Sequence, residues 1–187
     1  MGLRRLTLIC HAATASQREG RFPLPDESIM TGTTLHGPCN KVPGPLACAP
    51  EKRALETALL LAPHASTMQA LRDCDFGAWM GKSVQEIQLD DPAGTAAWLC
   101  DPGSRPHGGE SLAELCERVG RWLDGIRENG HTFAVTHASV MRAAALHVLG
   151  APFAAFWRLD IQPLSAMDMR FDGQFWTIRS LNDHWAD

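Results

Sequence analysis

Two apolar runs limit the fold of this chain more than any other feature, because each delivers a histidine at its carboxyl end. They are Leu6-Thr7-Leu8-Ile9-Cys10-His11 near the N-terminus and Phe133-Ala134-Val135-Thr136-His137 far downstream. Short apolar runs of this kind read as buried strands. Open α/β sheets bind ligands outside the carboxyl ends of their strands, so the two imidazoles can share one site despite their separation in sequence. Both histidines are followed by small residues and a hydroxyl, His11-Ala12-Ala13-Thr14 and His137-Ala138-Ser139, as suits a strand that runs into a backbone-rich anion pocket.

The chain has 187 residues and 20.4 kDa, enough for one well-buried core, and a single domain over 1–187 is expected. A formal charge of −4 supplies no broad basic field, which excludes a nucleic-acid partner and makes any anion binding local. Six cysteines, at 10, 39, 48, 74, 100 and 116, include no Cys-x-x-Cys pair, so free thiols in a reducing cytoplasm are expected. The run Leu6–Ile9 is too short for a signal peptide and is broken by His11, and no segment approaches the roughly 20 apolar residues of a membrane span. Oligomeric state has no signature here.

Along the chain, residues 16–50 carry so many Pro and Gly that little regular structure is expected there. A helix is predicted from about Pro50 to Leu61, with Arg53 near its start, and a short strand over Ser66–Leu71. Ser111 and Glu114 form a capping box for a helix to about Arg127, with Leu112, Leu115, Val119, Trp122, Leu123 and Ile126 as its core stripe. A strand Thr132–Thr136 and a helix Ser139–Leu149 follow, the helix closed by Gly150 and Pro152. The remainder reads as extended at Phe156–Ile161, Ala166–Phe171 and Phe175–Leu181, with Asp172-Gly173 as a hairpin turn. Strand–helix alternation ending in antiparallel strands predicts a three-layer α/β/α sandwich around a mainly parallel, mixed sheet.

The two strand-end histidines, the helix start Ala49-Pro50-Glu51-Lys52-Arg53-Ala54, the segment Leu71-Arg72-Asp73-Cys74-Asp75-Phe76-Gly77-Ala78-Trp79 and Gly108-Gly109-Glu110-Ser111 together resemble the histidine phosphatase (phosphoglycerate-mutase-like) superfamily. The resemblance runs from about Leu6 to Arg142. It implies a phosphatase in which His11 accepts the phosphoryl group, Arg53 clamps the phosphate, Asp73 gives a proton to the leaving oxygen and His137 contacts the phosphate. No metal or other cofactor is implied, and His36, His64, His107, His131, His147 and His184 have no ligand spacing. The implied partner is a small phosphorylated substrate or inorganic phosphate. No long insertion of the sort that encloses a bisphosphate substrate is present, which favours a phosphatase over a mutase.

Phosphoryl transfer is mostly positioning and electrostatics, and these residue types supply it: a neutral imidazole nucleophile, cationic donors around the phosphoryl oxygens and an acid for the alkoxide. The aromatic segment after Asp73 is expected to desolvate its carboxyl group and raise its pKa.

The first motif departs from the family pattern. Cys10 stands where an arginine is usual, Ala12 replaces the glycine and Ala13 the glutamate. Loss of one charged hydrogen bond costs roughly 1.5–3 kcal/mol, about ten- to a hundredfold in rate. Loop residues Arg18 and Arg21 are candidates to restore that charge, with Thr14 as a further substrate-binding residue. A Cys10 thiolate nucleophile lacks its usual partner, since the sixth position after it is Ser16. A noncatalytic phospholigand-binding or regulatory protein is the alternative that the altered motif favours; the retained His11, Arg53, Asp73 and His137 favour the enzyme. Specificity is expected from residues 16–50 and 76–106, where Phe22, Trp79 and Trp98 either line a pocket or anchor its walls.

Overall fold

Strand β1 (Arg4–Cys10) is buried at every position from Leu6 to Cys10. A strand buried on consecutive residues has both faces covered, as in the centre of an α/β/α sandwich. In the computed structural model, which describes residues 3–34 and 42–184, β1 pairs in parallel with β4 (Gly130–Thr136), and Cys10 lies opposite Thr136. Beyond β4 run β2 (Leu46–Cys48) and β3 (Ser66–Thr67), both parallel. On the other side of β1, the antiparallel β5 (Ser165–Phe171) and β6 (Trp176–His184) complete the order β3-β2-β4-β1-β5-β6. The expected mixed, mainly parallel sheet is therefore present. The Asp172-Gly173 turn also forms, with the Asp172 carboxylate accepting from the amides of Gln174 and Phe175.

Helix α2 (Lys52–Leu61) begins two residues later than its pattern suggests and buries Arg53, Ala54, Thr57, Ala58 and Leu61 on one face. Helix α5 (Leu112–Gly125) has the predicted reciprocal Ser111/Glu114 capping box and ends two residues before Arg127. It packs on α6 (Ala138–Leu149), which stops where Gly150 takes a left-handed φ of 57°.

Several expectations are corrected. Only Ser66–Thr67 of the predicted strand pairs, because its three-residue neighbour β2 offers no longer ladder, and Gln69–Leu71 turn as a 3₁₀ segment that buries Leu71. Phe156–Ile161 begins inside a 3₁₀ segment, Phe153–Arg158, with Phe156 anchored in the core, and pairs with no strand among the described residues. The turn-rich residues 16–50 hold part of a short helix α1 (Ala15–Arg18), capped by Thr14, and the whole of β2. Helices α3 (Val84–Asp90) and α4 (Pro92–Cys100) are additions to the expected set; their signals were the Ser83/Glu86 capping box and Asp91-Pro92. Cysteines 10, 48, 74, 100 and 116 are free thiols, while Cys39 and His36 lie outside the described residues. No helix among the described residues is long and apolar enough to cross a membrane.

Two glycines join the loops beneath the catalytic candidates. Gly77 has a φ of 45°, and the amides of Ala78 and Glu110 donate across to the carbonyls of His107 and Asp75. A Cβ on Gly109 would collide with the Asp75 carbonyl, so the two backbones meet as closely as they do only without side chains between them. Gly109→Ala is expected to lower stability by about 1–3 kcal/mol through this overpacking, read as a shift in urea midpoint at unchanged slope.

Candidate active site

Because Cys10 and Thr136 are paired partners, the next residue on each strand leaves the sheet at the same level. The His11 amide still bonds the Thr136 carbonyl at 2.9 Å, and the two imidazole rings lie 5.0 Å apart between centroids. His11 and His137, separate in sequence, thus meet as the sheet topology requires. Strand β2 ends at the same edge, and Ala49 to Arg53 carry the chain over it into α2.

The His11 Nδ1 is 2.7 Å from the Ala12 carbonyl. A carbonyl only accepts, so this nitrogen carries the hydrogen and Nε2 presents a lone pair. Burial is the main cause that pulls the His11 pKa down to about 3, helped by the charges of His137 and Arg53, so the ring is neutral near pH 7. The Ala12 amide is held by Thr57 Oγ1 at 2.9 Å, and that hydroxyl donates to the Arg53 carbonyl, which couples the histidine turn to α2.

Around this pair lies a buried charge cluster. Arg53 Nη2 donates to Asp73 Oδ2 at 2.6 Å and its Nη1 to the Leu24 carbonyl. His137 Nε2 donates to Glu51 Oε2 at 2.8 Å, and its Nδ1 stands 3.4 Å from Asp73 Oδ2. Glu51 Oε1 accepts the Asp73 amide, while Ser139 Oγ donates to Asp73 Oδ1. Two buried nitrogens at its centre, Arg53 Nε and His137 Nδ1, have no hydrogen-bond partner. Unpaired buried polar atoms are costly, so these two mark a place suited to a polar ligand.

The expected upward shift of Asp73 is not found. Burial alone would raise its pKa, but the charges of His137 and Arg53 and the Ser139 hydrogen bond hold it well below the usual carboxylate range. Sequence reading saw the neighbouring aromatics and not the cations that face the carboxylate. For Glu51, burial is likewise opposed and overcome by His137, so its pKa is also lowered. Cys10 is fully buried, and burial with the Asp73 charge pushes its thiol up to about 12, which removes the thiolate nucleophile.

A pocket of about 170 Å³ opens over these groups, lined by His11, Thr14, Asp73, His137, Ser139 and Arg142 among others. Arg53 faces an adjoining recess that shares Pro23, Asp73 and Phe76 with it. Thr14 is buried at the pocket wall, where its hydroxyl caps α1. Arg18 is directed away, its Nη1 on Met30 Sδ. Arg21 reaches the pocket rim, but its guanidinium is engaged by Gly81, Glu86 and Glu19.

Sequence reading missed three contributors, Glu51, Thr57 and Arg142, and gave Ser139 no role beyond a hydroxyl suited to an anion pocket. Arg142 follows Ala138 by one helical turn, so both lie on the same side of α6, and both line the pocket. Its Nε is fixed by the Leu159 carbonyl at 2.6 Å, and its charge is felt at Cys10. Below the cluster, the buried Glu110 receives both Arg72 and Arg118, and Arg118 also bonds the carbonyls of Ala70, Arg72 and Asp73. That explains Glu110 after the paired glycines: it locks the segment that carries Asp73. Among the described residues no group of three or more His, Cys, Asp or Glu is placed to hold a metal ion.

The profile of the histidine phosphatase superfamily (branch 1) matches residues 6–184, and the chain belongs to that superfamily. Among its relatives is phosphoserine phosphatase 1 of Hydrogenobacter thermophilus, 31% identical over 118 residues, which are 58% of this chain and 56% of that protein. The chain therefore spans little more than half the length of that relative, and 37% of the mycobacterial proteins that match at the same identity. Glucosyl-3-phosphoglycerate phosphatase of Mycobacterium tuberculosis is 27% identical across the whole chain and 88% of its own length. In fold, a variant of Entamoeba histolytica phosphoserine phosphatase with phosphoserine bound superposes with a TM-score of 0.82 at 17% identity, covering 97% of this chain and 98% of that one.

The depressed His11 pKa has a stability consequence. Between pH 6.5 and about 3 the unfolded chain binds a proton at this histidine that the folded chain refuses, so stability falls as pH drops through that window. The lowered His107 and His131 add to the same slope. His11→Gln is expected to flatten the urea stability curve between pH 6.5 and 4.5, above the carboxylate range, by on the order of a few kcal/mol. An unchanged slope would show that His11 is solvated when folded.

Proposed function

We propose that this chain is a phosphomonoester hydrolase that works through a phosphohistidine at His11. The observation that carries the reading is the His11 ring itself, neutral by burial, with Nδ1–H committed to the Ala12 carbonyl, Nε2 presenting its lone pair, and the His137 ring 5.0 Å away between centroids. The family membership and the phosphatase activities for which the relatives are named support it.

In this mechanism Nε2 attacks phosphorus in line, and the P–O bond to the alcohol breaks with its electron pair on oxygen. Asp73 supplies the proton. In the free protein Asp73 pairs with Arg53 and lies 3.4 Å from His137 Nδ1. A phosphate that binds there takes over both partners and adds negative charge, and both effects drive the Asp73 pKa upward, so the carboxyl gains its proton when substrate arrives. Water then attacks the phosphohistidine, giving its proton back to Asp73, and Nε2 departs with the bonding pair.

Arg142, not Arg18 or Arg21, restores the cation that Cys10 lacks. It lines the His11 pocket, and its backbone anchor at Leu159 holds it there. What supports the enzyme over a noncatalytic binding protein is that the nucleophile His11 and the acid Asp73 line one pocket, with Arg53 paired to that same Asp73.

The test is acid-labile phosphate on the protein after rapid mixing with phosphomonoesters. His11→Ala is expected to abolish both that label and turnover; wild-type turnover in this variant overturns the assignment. Asp73→Asn is expected to slow alkyl phosphates far more than p-nitrophenyl phosphate, whose leaving group needs little protonation, and equal losses would refute the acid role. Arg142→Ala should lower kcat/KM about ten- to a hundredfold, the worth of one charged hydrogen bond, whereas Arg18→Ala should leave it unchanged. Cys10→Ser should also leave kcat/KM near the wild-type value, and a collapse to background would restore the thiolate.

A further inference from the structure

Beside the His11 pocket lies a second cavity of about 320 Å³, and the two share Phe76, Ser139 and Arg142 as common walls. Its remaining lining is apolar, chiefly Phe22, Trp98, Phe156 and Trp157 with Leu112 and Leu115 at its base. The aromatic rings form a continuous wall: Trp98 meets Trp157 at 4.5 Å between centroids and Phe22 at 5.7 Å, and Phe22 meets Phe76 at 4.8 Å. Each of these pairs is tilted or edge-on. Among the described residues, no Asp, Glu, Lys or His takes part in the lining, and the one cation there, Arg142, stands at the junction with the His11 pocket.

We propose that this cavity receives the organic group of the substrate, and that the substrate class is a phosphomonoester with a flat, apolar or aromatic alcohol. This rests on the hydrolase reading for the phosphate half of the ligand. A phosphoryl group at His11 Nε2 leaves its ester oxygen facing Asp73 and Ser139, and Ser139 is a wall of both spaces, so the group on that oxygen points into the aromatic cavity. The volume is at the lower end of the range for small-molecule pockets. Aromatic faces there bind a planar ring by burial and by edge-to-face contact. A charged amino acid or a sugar would leave its ammonium or hydroxyls without partners against that wall, and buried unpaired polar groups are penalised. Phosphoserine and glucosyl-3-phosphoglycerate, the substrates in the relatives' names, are therefore disfavoured for this chain.

The test separates this proposal from the catalytic one by reading binding without chemistry. Titration calorimetry compares 2-naphthylmethylphosphonate with methylphosphonate, neither of which can be hydrolysed. The aryl compound is expected to bind at least thirtyfold more tightly, and that advantage should fall tenfold or more in Trp98→Ala and in Val84→Glu, the latter an exposed position on the cavity lining. Equal affinities for the two phosphonates, or an advantage that survives both substitutions, would overturn the cavity assignment whatever the turnover. Aryl preference without phosphoenzyme would instead retain the cavity and reject His11 chemistry. With active protein, 2-phenylethyl phosphate should exceed phosphoserine in kcat/KM by at least tenfold, two alkyl esters that differ mainly in what the cavity must hold, and the reverse order would also overturn the proposal.

Discussion

The in-register pairing of β1 with β4 is the constraint on which the rest depends. A parallel ladder that ends with Cys10 opposite Thr136 forces the two following histidines to leave the sheet together, and a slip of one residue would turn one ring into the core. The ladder is sealed by residues buried on both faces, Leu6, Leu8 and Ile9 on β1 and Phe133, Ala134 and Val135 on β4. Core packing thus sets the distance between two imidazoles that are separated by most of the sequence. Helix α2 enters the same edge through β2, so the third and fourth charged groups, Glu51 and Arg53, are fixed by the same ladder.

Arg53 is only 2% exposed and lies on the core face of α2 among alanines. A guanidinium in that position is tolerable only with charge and hydrogen bonds around it, and Asp73, the Leu24 carbonyl and the nearby Glu51–His137 pair supply them. The segment with Asp73 is in turn held by Arg72 and Arg118 on Glu110, under the glycine contact of the 77 and 109 loops. Burial neutralises His11, whereas the charges of His137 and Arg53, against the effect of burial, keep Asp73 ionised. Both pKa values are lowered, by different causes, which leaves a neutral imidazole and an ionised carboxylate side by side in one pocket.

Much of this was legible in the sequence. Apolar runs that end in histidine, capping residues and the Asp-Gly turn fixed β1, β4, α5, α6 and the final hairpin, because each depends on local pattern or local hydrogen bonds. What was not legible depends on contacts between distant segments. The charge state of Asp73 comes from Arg53 and His137, one on α2 and one at the end of β4, and neither is visible from the aromatics beside it. The short strand β2 and helices α3 and α4 were hidden for a different reason. Their sequences carry few periodic apolar residues, and α4 has no buried residue at all, so only the caps at Ser83 and Asp91 announce them.

Cys10 shows how a strand-end substitution is absorbed. Its side chain is wholly enclosed, and a thiol with a pKa near 12 stays neutral, so the position carries no charge of its own. An arginine there would stand against Arg142, whose field already reaches the sulfur, and two buried guanidiniums beside Arg53 would repel. A neutral Cys10 leaves Arg142 as the cation on that side of the pocket, fixed by Leu159 and backed by the Phe156 ring 5.6 Å from its guanidinium carbon. In the proposed reading the charge has moved from the sheet to helix α6, where Arg142 borders the aromatic cavity as well as the histidines. In the proposed reading one side chain then serves both halves of the ligand: the guanidinium edge meets the phosphoryl oxygens and its apolar faces continue the wall against which the organic group packs.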